Sequence, residues 1–309
     1  MIRTTRRAVL RAVLAGLLAS PAAAQPAPKR VVASFSILAD LTGRIGEGRI
    51  TVRALAGPDQ DLHGFEPRPS DIQAVAQADV MVINGLGLEG WAERIAAAAG
   101  FKGVAIVASR GVVALKTGHK HGPTQGSGTA AHSHGAFDPH AWQDVANAKR
   151  YAANIRDGLS TADPAGRAAY AAGATRLMAE LDALDAEIRA MLAAIPRERR
   201  RAVTSHEAFA YFADAYGVDL LAVAGTWRDA EPSARELAAL TAQVKRQNIR
   251  ALFLENAGNN AALRALASET GVAIGGSLYA DALSAPGGPA DSYIAMMRHN
   301  ARTIATALR

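Results

Sequence analysis

Four of the chain's eight histidines fall in one short polar tract, at His119, His121, His132 and His134. A neutral imidazole is the commonest protein ligand for zinc and copper. A His-rich run among Gly, Ser and Thr, without hydrophobic periodicity, reads as metal capture rather than core. Three further histidines stand singly. His63 lies in Gly57-Pro58-Asp59-Gln60-Asp61-Leu62-His63, His140 in Asp138-Pro139-His140-Ala141-Trp142, and His206 in Thr204-Ser205-His206-Glu207. Taken one at a time, they also read as a turn residue, a helix cap and a core histidine.

What joins them is the element pattern. Apolar β-type runs occur at 31–37, 50–55, 79–84 and 104–107, then again at 202–205, 220–223, 251–255 and 272–276. Helical patterns intervene, as at 69–78, 89–99, 232–247 and 260–270. Strands alternating with helices predict parallel sheets covered on both faces, here two α/β lobes of four strand–helix units each. His63 follows the second strand, His140 the fourth, and His206 the first strand of the second lobe. Asp281, in Tyr279-Ala280-Asp281-Ala282-Leu283, holds the matching place after the last strand. Open α/β sheets bind ligands at the carboxyl ends of their strands. Two candidates from each lobe would therefore meet in the cleft between them. Three imidazoles and a carboxylate make a tetrahedral zinc shell.

Between the lobes, Leu177, Leu181, Leu184, Ile188, Met191 and Leu192 recur at helical spacing, with Asp163 and Pro164 as a start signal and Pro196 as a stop. This predicts one helix over 163–195, about 45 Å long at 1.5 Å per residue, acting as a stiff connection. The domain reading is then an export segment at 1–24, an N-terminal lobe at 25–162 with the His-rich loop at 117–135, a linking helix at 163–196 and a C-terminal lobe at 197–309.

Residues 1–24 carry four arginines ahead of or within a short apolar run, then Ala22-Ala23-Ala24, which reads as a secretory signal of the Sec or twin-arginine type. Setting those four arginines aside takes the net charge from +6 to +2, so the basic balance gives no argument for nucleic acid. No cysteine is present, hence no disulfide framework.

With these pieces assembled, the chain resembles the zinc- and manganese-binding periplasmic solute-binding proteins of ABC transporters, the cluster A-I or ZnuA-like family. The resemblance rests on Val32-Ala33-Ser34-Phe35-Ser36, on residues 57–71, on Asn84-Gly85-Leu86-Gly87-Leu88-Glu89, on the Asp138–Trp142 segment, on Ser205-His206-Glu207-Ala208-Phe209, on Ala230-Glu231-Pro232-Ser233 and on residues 279–284. Within the family it is most similar to the AztC-type zinc proteins. The resemblance implies two (β/α)4 lobes joined by a rigid helix, with metal ligands at His63, His140, His206 and Asp281. It also implies a monomer in the periplasm that delivers its metal to a permease in the inner membrane, with a periplasmic zinc donor as a further partner. Family members that take manganese usually place a Glu where this chain has His206. Manganese favours oxygen donors and imidazole suits zinc, so Zn2+ is the expected cargo.

Other readings carry less. Gly85-Leu86-Gly87-Leu88-Glu89-Gly90 spells a dinucleotide fingerprint, but no acidic residue ends the next strand. A zinc hydrolase would keep three protein ligands and an open position, whereas four ligands are on offer here and no HExxH motif occurs. A manganese or iron carrier is the nearer alternative. Glu255 reads as a wall of the cleft, Glu231 as a helix-start residue, and Trp142, Trp227, Phe65 and Tyr279 as packing around it. Residues 197–201 read as a solvated end of the linking helix, with permease contact as the functional option.

Overall fold

The computed structural model describes residues 27–117, 136–224 and 233–309. The export segment, His119, His121, His132, His134, Trp227 and Glu231 lie outside the described residues.

The first lobe runs β1 (Lys29–Phe35), α1 (Ser36–Gly46), β2 (Ile50–Ala56), α2 (Pro69–Ala76), β3 (Val80–Ile83), α3 (Ala92–Ala98), β4 (Val104–Val107) and α4 (Val145–Ala162). After α5 (Arg167–Ala193), the second runs β5 (Arg201–His206), α6 (Ala210–Tyr216), β6 (Asp219–Ala224), α7 (Ala234–Arg246), β7 (Ala251–Glu255), α8 (Ala261–Thr270), β8 (Ile274–Leu278) and α9 (Tyr293–Leu308). The sheets are parallel, ordered β2-β1-β3-β4 and β6-β5-β7-β8. The two-lobed α/β architecture is the one expected. In each sheet the strand order reverses at the first strand, which has the second strand on one side and the third and fourth on the other, and the four candidate residues lie at or after carboxyl ends of strands.

Local chemistry explains the elements. β1 buries Val31, Val32, Ala33 and Phe35, because a central parallel strand is covered on both faces. Its apolar run extends past Phe35, so 31–37 reads as strand to its end. The structure instead starts α1 at Ser36, burying Ile37, Leu38, Leu41 and Ile45 at helical spacing. Periodicity cannot separate a strand from a helix that continues its apolar run. α7 begins at a capping box in which the Ser233 hydroxyl accepts from the Glu236 amide and the Glu236 carboxylate accepts from the Ser233 amide. α6 ends at Gly217, whose φ of 66° suits glycine.

The linking helix is shorter than 163–195. A 3-10 turn, Pro164–Gly166, precedes α5. Asp163 does not cap it, because its carboxylate takes Arg49 at 2.8 Å and the Tyr170 hydroxyl at 2.8 Å. The 27 residues of α5 span about 40 Å. Leu177, Leu181, Leu184, Ile188 and Leu192 are buried as their spacing predicts. α5 touches both lobes, through Glu180 on Arg44 of α1 and Glu187 on Arg298 of α9. One apolar cluster joins these layers, from Phe35 and Trp142 to Leu184, Phe253 and Tyr293. Smaller clusters fill the outer faces of the two sheets.

Candidate metal centre

Each of the four expected residues sits on a backbone that something else holds in place. His63 lies on the loop after β2, where its amide donates to Asp61 Oδ1 at 3.0 Å in a local turn. His140 follows Asp138-Pro139, and Asp138 Oδ1 accepts from both the His140 amide (2.9 Å) and His140 Nδ1 (2.7 Å). Asn84 Nδ2, at the end of β3, donates to the Pro139 carbonyl at 2.9 Å. His206 ends β5. Glu255, at the end of neighbouring β7, accepts the His206 amide at 3.0 Å and faces Nδ1 at 2.6 Å. Asp281 follows β8, behind an Ala280 carbonyl that accepts from Trp142 Nε1 (2.9 Å) and Gln143 Nε2 (2.8 Å).

A carboxylate at Nδ1 fixes the neutral ring with its hydrogen on Nδ1, which leaves the Nε2 lone pair of His140 and of His206 facing the cleft. There the donors converge. His63 Nε2 lies 3.2 Å from His140 Nε2, and Asp281 oxygens lie 3.5, 3.4 and 3.4 Å from Nε2 of His63, His140 and His206. All four ligand atoms fall within 4.8 Å of one another. A tetrahedral ion with bonds of about 2.0–2.1 Å has ligand–ligand edges of about 3.3 Å. Three rings surround that point with centroids 5.3–5.5 Å apart, His206 edge to face on both His63 and His140, and those two tilted on each other. His140, His206 and Asp281 are fully buried, and His63 is the one partly open member of the cluster.

The electrostatics suit a cation. Burial alone would raise Asp281, but the His206, His140 and His63 imidazoles hold its carboxyl well below the usual range. Burial would lower His140, yet the Asp138 carboxylate and then Asp281 outweigh it and push it up to about 9. In the metal-free site the ring therefore carries a second proton, on Nε2, at neutral pH, and a metal must displace it to reach that lone pair.

Glu255 stands where a wall residue was expected, holding His206 rather than joining the cluster. Asp138, Asn84 and Gln143 were missed as supports. The signal for Asp138 was its place two residues before His140 in Asp-Pro-His. Asn84 and Gln143 left none, because their partners Pro139 and Ala280 come from loops far away in sequence. Trp142 packs on His140 with centroids 5.3 Å apart, and Phe65 packs on Trp91. The glycine loop turns two of its amides toward a carboxylate of its own. Glu89 occupies it, accepting from the Asn84 and Gly85 amides and the Ser34 hydroxyl. Residues 197–201 are not a helix end. Arg197–Arg199 form a 3-10 turn after Pro196, and Arg200 donates back to the carbonyls of Ile195 and Ala193. Proline ended the helix and the arginine side chain caps it.

Two parallel lobes with a His3Asp cluster in the cleft between them define a class: the metal-binding, solute-binding component of an ABC importer, not an enzyme. Residues 31–307 match the family model described as zinc-uptake complex component A, periplasmic, and the chain belongs to that family. It is 34% identical over 279 residues to the manganese-binding lipoprotein MntA of Halalkalibacterium halodurans, covering 90% of this chain and 88% of that protein. It is 30% identical to the iron-binding protein YfeA of Yersinia pestis, covering 89% and 85%. Among solved structures, the periplasmic zinc-binding protein TroA of Treponema pallidum superposes with a TM-score of 0.80 at 27% identity, over 91% of this chain and 99% of that one. Among the described residues no helix is long and apolar enough to cross a membrane.

Proposed function

We propose that this protein captures zinc outside the cytoplasm, with His63, His140, His206 and Asp281 as its ligands, and hands the ion to a permease in the inner membrane. The observation that carries this reading is the donor set. Three imidazole nitrogens and one carboxylate converge, with the His63–His140 contact and the three contacts to Asp281 at 3.2–3.5 Å, near the edge of a tetrahedral zinc site, and all four donors within 4.8 Å. Nitrogen-rich, tetrahedral surroundings favour zinc, whereas manganese prefers more oxygen donors and six of them. The relatives named for manganese and iron support the second reading, a manganese or iron carrier on the same scaffold. The likeness to AztC-type zinc proteins belongs with the first.

Export through residues 1–24, a monomeric state, a zinc donor partner and the boundaries at 162/163 and 196/197 belong to the same proposal. So does a weaker capture role for His119, His121, His132 and His134. Metal analysis of protein purified from its own compartment, followed by chelator competition with zinc and manganese, tests it. Zinc should bind at one tight site with an affinity orders of magnitude above that of manganese. His140→Ala and His206→Ala should each lose that site. Parent-like zinc binding by both variants would overturn the ligand assignment, and a manganese preference in the parent would overturn the cargo.

A further inference from the structure

His140 comes from the first lobe, His206 and Asp281 from the second, so something must fix the distance across the cleft. One phenol spans that gap on the His206 side. Tyr211 is the second residue of α6, five positions after His206, and 4% exposed. Between them the chain is tight: the Ala208 amide bonds back to the His206 carbonyl at 2.9 Å. The Tyr211 hydroxyl donates to the Asp138 carbonyl at 2.9 Å and accepts from the Leu115 amide at 3.0 Å. Asp138 and Leu115 are themselves joined, amide to carbonyl, at 2.8 Å.

Asp138 is thus held on three sides: its amide by Leu115, its carbonyl by Tyr211, and its side chain on His140. Moving the Tyr211 hydroxyl would move Asp138, and Asp138 is what aims His140 Nε2. Trp142 and Gln143 make the corresponding link to Ala280 for the Asp281 side. The second lobe therefore grips the His140 segment beside each of its own ligands, and the Tyr293 hydroxyl of α9 adds a further bond to the Trp142 carbonyl at 2.7 Å.

We propose that Tyr211 is a positioning residue for the metal: its hydroxyl sets the separation of His140 and His206, and with it the tetrahedral geometry that discriminates zinc from manganese. This rests on the cleft being the metal site. The hydroxyl touches no ligand atom and acts through Asp138 alone. Without it the Asp138 carbonyl and Leu115 amide each lose a buried partner, and the His140 turn can shift away from α6. A looser cage penalises the ion that needs short, tetrahedral bonds more than one that tolerates longer bonds and added water.

The test is Tyr211→Phe, which keeps the packed ring and deletes only the hydroxyl. Co2+ serves as the probe, because its visible absorption is intense in tetrahedral and weak in six-coordinate surroundings. The expected result is a Co2+ spectrum of lower intensity. Zinc affinity should fall about tenfold, the scale of one buried hydrogen bond. Manganese affinity should fall less, so that the zinc/manganese ratio narrows. An unchanged spectrum and ratio, with or without a lower melting temperature, would reduce Tyr211 to ordinary packing and overturn the proposal. His140→Ala run alongside keeps the two readings apart. If that variant gives the parent's Co2+ spectrum, the cleft assignment itself has failed.

Discussion

At the level of single residues, the site is a set of bases that are kept available by acids behind them. Asp138 and Glu255 each take an Nδ1 hydrogen, and each also takes the amide of the same histidine. Removing their charge while keeping an acceptor leaves the ring less basic and less fixed. Asp138→Asn and Glu255→Gln should each weaken zinc binding by about 10–100-fold, with the fold retained by circular dichroism. The elevated His140 sets a pH dependence. Below about 9 the ring of the metal-free protein carries a proton, so zinc binding near pH 7.5 should release about one proton from it. Calorimetry in buffers of different ionisation enthalpy would count it. The same ring stabilises the metal-free fold fully below its ordinary value of 6.5, and that contribution fades as pH rises through about 9. The metal-free protein should therefore lose melting temperature between pH 6.5 and 9, while zinc-loaded protein, whose His140 is already deprotonated, should not.

At the level of elements, α5 is the part on which both lobes rest. It packs tightly at Gly173, where an added Cβ would lie 2.3 Å from the Ile45 carbonyl oxygen at the end of α1. Two backbones meet there, and neither can retreat as a flexible side chain would. Gly173→Val should cost roughly 1–3 kcal/mol or more in stability, read as a shift in the denaturant midpoint. Leu184 sits mid-helix in the shared core, fully buried. Leu184→Ala should cost roughly 2–5 kcal/mol through lost transfer energy and a cavity. An exposed partner on the same helix, Ala186→Ser, should cost well under 1 kcal/mol and serves as the control.

At the level of the whole molecule, ligands from both lobes on one ion would tie the cleft shut. A ligand that binds only the folded form adds RT ln(1 + [L]/Kd), about 4 kcal/mol at a thousandfold excess over Kd. Zinc should thus raise the melting temperature by several degrees and Asp281→Ala should abolish the rise. The lobes already share one core through α5, and Trp142, Gln143 and Tyr211 bridge them. The change in radius of gyration on adding zinc should accordingly be small in solution scattering. A large rigid-body closure would contradict the shared-core account.

Much of this was legible in the residues. Alternation of apolar runs dictated two parallel lobes, because β and α periods differ and each leaves its own signature. His63, His140, His206 and Asp281 stood out by type and by their places after strands, and the fold does bring them together. The leucine spacing of α5 marked its buried face. Folding in three dimensions decided the remainder. Where β1 gives way to α1 depended on packing, since one apolar run serves both. Asp163 could cap a helix or bind Arg49, and only the approach of Arg49 chose. The fingerprint at Gly85–Gly90 lost its ligand-binding reading because Glu89 folds into its own loop. The cross-cleft supports were beyond reach for the same reason. Tyr211 meets Asp138 across 73 positions of chain and Gln143 meets Ala280 across 137, and no local pattern encodes a partner that distant. Residue types singled out the atoms proposed to bind a metal, and long-range packing set the distances that bring them together.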